Sequence, residues 1–472
     1  MKVLFLFPIL HLFVSLNSAF SQDTTVSRQQ MYEDFDVLFE HIKTTNPYLD
    51  IKKELYSYSI LDTIASFRAE IENCTSFRDF HFLTKKVMNT CLDGHAAMTT
   101  PVDYPPTELY LPLVYQQGEY RIKRSFTYRS VHFPAGSKLV AINGNPSIHE
   151  EVARQVPYRY LMRWDNALQQ FYSELFFLSD FYIHQGHIRL DFEINNALLS
   201  TDFQFHEAVE FEASQNRNDP PRVDYLEAEK ILYLRVPTMD WSARKFYRKE
   251  INKCAKGKEI EKVVIDVRNN YGGSSLVGRN IFRALLPSPM TFHIRLYGND
   301  PTNISKKYKK MHGFDSHHPL DTLHELNDLQ LYRYIDKKEA IQPYSNSIRH
   351  SGPIYILSNE HLYSAGGAIL MFANHSATDR IFSIGTPTGW FLGEFSDPIH
   401  FTLPHSKLQF QIAPSMSLTD VRDRSNVMLD SYDTVIYPSI SDYNNYYEQG
   451  GTLYAPDFLL KADPYFKPIL GD

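Results

Sequence analysis

A chain of 472 residues is too long for one hydrophobic core, so two or three domains are expected. Its 43% hydrophobic and 22% charged content is that of an ordinary globular protein, and the 14% aromatic share suits a large sheet-rich core. A formal net charge of -7 argues against general binding to nucleic acid or to an anionic membrane.

The chain begins with Met1-Lys2 and a mostly apolar run from Val3 to Phe20. The run closes on Ser18-Ala19-Phe20-Ser21-Gln22, with small residues where a signal peptidase needs them. Residues 1–21 therefore read as a signal peptide cleaved between Ser21 and Gln22, and the product as exported, periplasmic or secreted. His11 and Asn17 interrupt a stretch already short for a membrane span, and no stable membrane anchor is expected. Cys74, Cys91 and Cys254 permit one intramolecular bridge at most, with Cys74 and Cys91 the nearby pair.

From Ser27 to Met88 the pattern is helical. Phe35, Leu38, Phe39 and Ile42 make one apolar face, Pro47 ends the first helix, and helices follow over 61–71 and 77–88, the last capped by Thr75 or Ser76. Asp93-Gly94 then turns the chain, and His95 starts an extended piece. Short strands are expected over 108–115, 120–124, 138–142 and 187–194, with an Asn143-Gly144 turn and a helical stretch over 166–184. From Ile231 the reading is α/β: strands over 231–236, 262–268, 290–296, 353–357, 381–385 and 408–413, with helices over 242–256 and 275–285. A polar insertion spans about 297–350. Its Lys306–Lys310 run reads as solvated surface, and His312, His317 and His318 lack a fixed ligand spacing, so no metal or other cofactor is expected.

The stretch 352–373 carries the first chemistry. A buried strand over 353–357 hands over to a helix beginning near Ala365, which leaves Ser364 at a strand tip beside unpaired backbone N–H groups. Ser364 is there either an ordinary N-cap or a nucleophile whose oxyanion is held by backbone donors. Gly272-Gly273, after the apolar strand ending Asp266-Val267-Arg268, is either a plain turn or a sharp one that aims an N–H into a cleft.

Taken in order, Leu92-Asp93-Gly94-His95, the 134–146 turn segment, Asp266-x-Arg268-x-Asn270-x-Gly272-Gly273 and Tyr363-Ser364-Ala365 give the chain its kinship. It resembles the C-terminal-processing (tail-specific) serine peptidases, a family that includes the tricorn core protease and the interphotoreceptor retinoid-binding proteins. The resemblance covers nearly all of the chain after residue 21. It implies an α/β multi-domain fold: an N-terminal helical domain over 22–105, a PDZ-like β domain over 106–205, and a crotonase-like α/β spiral catalytic domain over 206–472.

One branch of that family pairs its Ser with a Lys, but Trp390 stands in that place here. The tricorn-like branch takes a His from the helical region, and His95 matches it, although Gly94 replaces the hydroxyl residue that precedes the His there. The resemblance thus implies Ser364 as nucleophile, His95 as general base, and an oxyanion hole from Gly272 or Gly273 with Ala365. It implies a carboxylate as third member, either Asp433 or Asp430, with Asp433 favoured. The usual Gly-Leu-Gly-type loop is absent around 108–115, so capture of a substrate C-terminus is implied by resemblance alone.

The function expected is an exported serine endopeptidase acting on peptides or unfolded chains through an acyl-enzyme. The alternative is an inactive relative that binds peptides or apolar ligands. Thioester chemistry of the crotonase type fits poorly with a secretory signal. The partner expected is the substrate chain, with no nucleic acid; self-association is left open.

Overall fold

The computed structural model describes residues 26–100, 110–159, 162–173, 176–177, 186–205, 219–314, 317–375, 379–388, 397–418, 432–449 and 454–471. Residues 1–21, read above as a signal peptide, lie outside the described residues, as do Trp390 and Asp430. Helix and sheet are mixed in several packing units. Among the described residues no helix is long and apolar enough to cross a membrane.

The N-terminal helices are Arg28–Thr45, Leu49–Tyr56, Ile60–Phe67 and Phe77–Thr90. Ser27 and Gln30 cap the first reciprocally, and Ser76 and Asp79 do the same for the last, which satisfies N–H groups that each helix start leaves open. Met31, Phe35, Leu38 and Ile42 bury one face. The Leu49–Tyr56 helix was not expected: Pro47 masks its start, and its Lys52 is fully buried. The Lys52 ammonium donates to the carbonyls of Cys91 (3.1 Å) and Leu92 (2.8 Å), the two residues before the Asp93-Gly94-His95 turn.

A five-stranded antiparallel sheet follows, in the order 197–204, 187–194, 138–142, 119–122, 113–116. Its Asn143-Gly144 turn is as expected, with both residues at positive φ (50° and 78°). Among the described residues of the helix expected over 166–184, none is helical. Arg163–Asp165 and Gln170–Tyr172 make a hairpin instead, because Asp165 Oδ1 accepts the N–H groups of Ala167 and Leu168 and turns the chain. Trp164 and Phe171 then pack their rings in the core.

A six-stranded sheet organises the second half, in the order 222–226, 231–235, 262–266, 354–358, 381–385, 434–435. The first pair is antiparallel and the rest are parallel. One face packs Leu232, Leu234, Val263, Ile265, Ile354 and Ile356 under the helices 244–255, 276–285 and 368–375. The other packs Tyr233, Val264, Leu357 and Ile384 against the C-terminal helices 456–461 and 467–470. Both faces are covered, which explains the continuously apolar strands.

Two expected members of this sheet lie elsewhere. The strand at Met290–Gly298 belongs to an antiparallel sheet with Leu329–Ile341, a 13-residue strand inside the stretch read as a polar insertion. That stretch also forms the helix Lys306–His312, whose Tyr308 is buried while Lys306, Lys307 and Lys310 are exposed. Gln409–Ile412 pairs with Ile399–Thr402 and with Ala97–Met98, and its Phe410 and Ile412 enter the core of the N-terminal helices. The cysteines make no bridge: Cys74, Cys91 and Cys254 are all free, and burial pushes the Cys74 thiol up to about 11.

Candidate active site

Three loops leave the C-terminal ends of neighbouring parallel strands, where ligands of such sheets bind. The loop after Ile354–Ser358 ends in Tyr363 with extended backbone, then Ser364 at φ +52°. A β-substituted residue held in the left-handed region is strained. The kink raises the side chain at the start of a 3-10 turn that leads into the helix Ala368–His375.

Ser364 Oγ stands 3.4 Å from His95 Nε2. Contact at that distance allows the hydroxyl to donate when the imidazole carries its proton on Nδ1, and such bonds tighten when substrate binds. His95 lies within the turn itself, and its extended piece starts two residues on, at Ala97. Three features place it: its own N–H donates to Asp93 Oδ1 (2.6 Å), its ring stacks on that of Tyr363 (centroids 5.5 Å), and Ala97–Met98 pairs with Gln411 and Phe410. Lys52 holds the chain just upstream.

The loop after Lys262–Asp266 presses on the serine from the other side. A Cβ at Gly272, whose φ is +103°, would lie 2.7 Å from Ser364 Cβ and 3.0 Å from Ala365 N; only glycine fits there. The Gly272 N–H donates to Asn270 Oδ1 (2.8 Å). Neither the Gly273 nor the Ala365 N–H donates to another described residue. Asn269 and Asn359 exchange two bonds, from Asn269 N–H (2.8 Å) and from Asn359 Nδ2 (2.9 Å), and Tyr363 N–H donates to Asn270 O (2.9 Å). These bonds tie the two loops to each other.

Beneath them lies a buried ionic cluster. Arg268 Nη2 is 2.6 Å from Asp266 Oδ2, Arg268 Nη1 is 2.7 Å from Asp463 Oδ2, and Arg235 Nη1 donates to Asp266 O (3.1 Å). Burial raises the Asp266 pKa, but Arg268 and Arg235 outweigh it and hold the carboxyl below its ordinary value. The motif spacing had marked Asp266 and Arg268; nothing local marks Asp463 or Arg235. Sequence reasoning also missed His361 and Glu360, whose Nε2 and Oε1 stand 3.5 Å apart just ahead of Tyr363. Burial lowers the His361 pKa to about 4, so that ring is neutral at pH 7.

Ser364, His95, Gly272, Gly273 and Ala365 are thus brought together. Asp433 is not. Its Oδ2 accepts from Ser383 N–H (2.7 Å) and Ser383 Oγ (2.9 Å), which closes the sheet edge at 381–385. Of the three insertion histidines, His312 packs its ring on Tyr308 and His318 on Tyr334, and among the described residues no cluster of His, Cys, Asp or Glu is placed to hold a metal.

Residues 230–413 match the model of Peptidase family S41. No curated protein matches the chain. Among solved structures, the crystal structure of mature CPAF shares 12% identity, over 93% of this chain and 99% of that one, with a TM-score of 0.58. Mature CPAF complexed with lactacystin shares 14% identity, over 90% of this chain and 98% of that one, with a TM-score of 0.56. At such identities the likeness is one of fold.

Proposed function

Since the chain belongs to peptidase family S41 through residues 230–413, and is on that ground a serine-type peptidase, we propose that it is exported and cleaves peptides or unfolded chains through an acyl-enzyme on Ser364. His95 Nε2 takes the Ser364 proton as Oγ attacks the scissile carbonyl carbon. The oxygen that becomes negative is received by the N–H groups of Gly273 and Ala365; loss of one such donor typically costs about a hundredfold or more in rate. The imidazolium then returns its proton to the leaving amine, and water attacks the ester by the same route in reverse.

The observation that carries this reading is the 3.4 Å approach of two side chains 269 positions apart. Tyr363 and the Asp93 turn orient the imidazole, while Asp433 acts only on the sheet edge. The six-stranded region is read as the crotonase-like catalytic domain over 206–472, the five-stranded sheet as the PDZ-like domain over 106–205, and the helices as the domain over 22–105.

Ser364→Ala and His95→Ala are each expected to abolish hydrolysis of a peptide pool while the melting curve stays cooperative, and a fluorophosphonate is expected to label Ser364. Retained hydrolysis in Ser364→Ala would end the proposal. The engagement of Asp433 by Ser383 favours the second reading, a binding-only relative. Persistent absence of labelling in folded protein would select it.

A further inference from the structure

Large apolar side chains exposed singly are ordinary; several beside one catalytic loop are not. Nine are exposed among the described residues, and three of them, Trp241 (41%), Tyr271 (62%) and Leu276 (43%), flank the Gly272-Gly273 turn. Tyr271 precedes Gly272 directly. Trp241 lies two residues after Met239, which bridges Gly273 in parallel register, and the short helix Trp241–Ala243 packs on the helix Leu276–Leu285. The Arg244 guanidinium lies 3.7 Å from the centre of the Trp241 ring and donates to the Trp241 carbonyl, which fixes the indole in place.

The topology puts these side chains in a row. Strands 231–235, 262–266 and 354–358 are immediate neighbours, and the loops leaving their C-terminal ends carry Trp241, Tyr271 and Ser364 in that order. Strand spacing is about 4.8 Å, so the Trp241 loop lies roughly 10 Å across the sheet from that of Ser364, the span of about three extended peptide residues. The opposite end of the same strands carries charge instead, with Lys230 paired to Glu259 and Glu261 and Lys258 to Glu227. The apolar strip belongs to the end that bears the serine.

We propose that Tyr271 and Trp241 set substrate specificity: they receive apolar side chains of the bound peptide, Tyr271 next to the scissile bond and Trp241 about two residues further along the same side. The inference rests on Ser364 being the nucleophile. A chain crossing the strand ends with its carbonyl at Ser364 passes over Tyr271 first and Trp241 next. An aromatic face offers large apolar area with little rotamer freedom to lose.

The test uses the full chain and paired peptides that carry Phe or Asp at each of three positions on either side of the cleaved bond. The wild type is expected to prefer Phe at positions on one side. Trp241→Ala is expected to lower the Phe-to-Asp ratio of kcat/KM about tenfold at the outer position, mainly through KM, with Trp241→Phe retaining it. Tyr271→Ser is expected to act likewise at the inner position. Ratios unchanged in both alanine and serine variants would overturn the proposal while fluorophosphonate labelling of wild-type Ser364 upholds the peptidase reading. Failure of the wild type to label would overturn both. Trp241 and Tyr271 are surface side chains, and thermal melting near that of the wild type is the check that the variants fold.

Discussion

Asn270 Oδ1 accepts the Gly272 N–H at 2.8 Å, which leaves the Gly273 N–H as the amide of the glycine pair without an acceptor among the described residues. The same side chain donates from Nδ2 to Val236 O (2.8 Å), and the Asn270 carbonyl accepts from Tyr363 N–H. Asn270→Ala is therefore expected to lower kcat by tenfold to a hundredfold, up to about the worth of one oxyanion donor, with KM little changed. The buried groups it leaves unpaired should cost about 1–3 kcal/mol of stability. Steady-state kinetics and urea unfolding check both; an unchanged kcat would show that the loop holds its shape without Asn270.

Gly272 and Gly257 share a positive φ, +103° and +70°, but not their surroundings. A methyl at Gly272 would drive into Ser364 Cβ and Ala365 N, whereas one at Gly257 would meet nothing within 4 Å. Both alanine variants should lose stability of the order of 1 kcal/mol from backbone strain. Only Gly272→Ala is expected to stop labelling of Ser364. Equal labelling in the two would mean that the nucleophile loop can retreat from the clash.

Much of this was legible because it is written locally. Strands 138–142, 187–194 and 381–385 carry their own pattern, and Ser364 sits where an apolar run changes period. What was missed depends on distant parts of the chain. Asp165 turns a stretch whose aromatic spacing looks helical, since its carboxylate captures two backbone N–H groups. Leu329–Ile341 hides behind Asp336-Lys337-Lys338-Glu339 because only part of the strand faces a core. Lys52 and Asp463 are charged residues that local reading assigns to solvent; each is buried by a partner far along the chain. The Ser364–His95 meeting was foreseen only through kinship, since no local pattern brings residues 269 apart together.

His81 gives a pH signature separate from chemistry. Its ring is buried with Nε2 3.2 Å from Thr100 O, so Nε2 carries a proton that it donates. Burial lowers its pKa to about 4 from 6.5, although the Thr100 carbonyl works the other way. The unfolded chain therefore binds a proton that the folded one refuses between those values, and stability rises with pH across that window. The contribution is complete above pH 6.5 and is lost on acidification towards 4, on the order of 3 kcal/mol. His81→Asn, which cannot titrate, should flatten the slope of unfolding free energy over that range. A slope equal to that of the wild type would assign the effect to other groups, His361 first.

Asp463 ties the C-terminal segment to the loop that bears Gly272 and Gly273. Its carboxylate meets Arg268 Nη1 at 2.7 Å, accepts Tyr465 N–H at 3.0 Å and is shielded from water, as is Arg268. Asp463→Ala would leave two buried guanidiniums, Arg235 and Arg268, to share the buried Asp266 and the partly exposed Asp219. Breaking a buried pair from one side typically costs about 3–5 kcal/mol. Asp463→Asn keeps an acceptor for both partners and should lose less. Because Arg268 opens the loop that bears Gly272 and Gly273, labelling of Ser364 should slow in the order wild type, Asn, Ala, in step with stability. Urea unfolding and labelling rates measured on the same samples test this; normal labelling in a strongly destabilised Asp463→Ala would show that the loop is positioned by Asn270 and Asn359 alone.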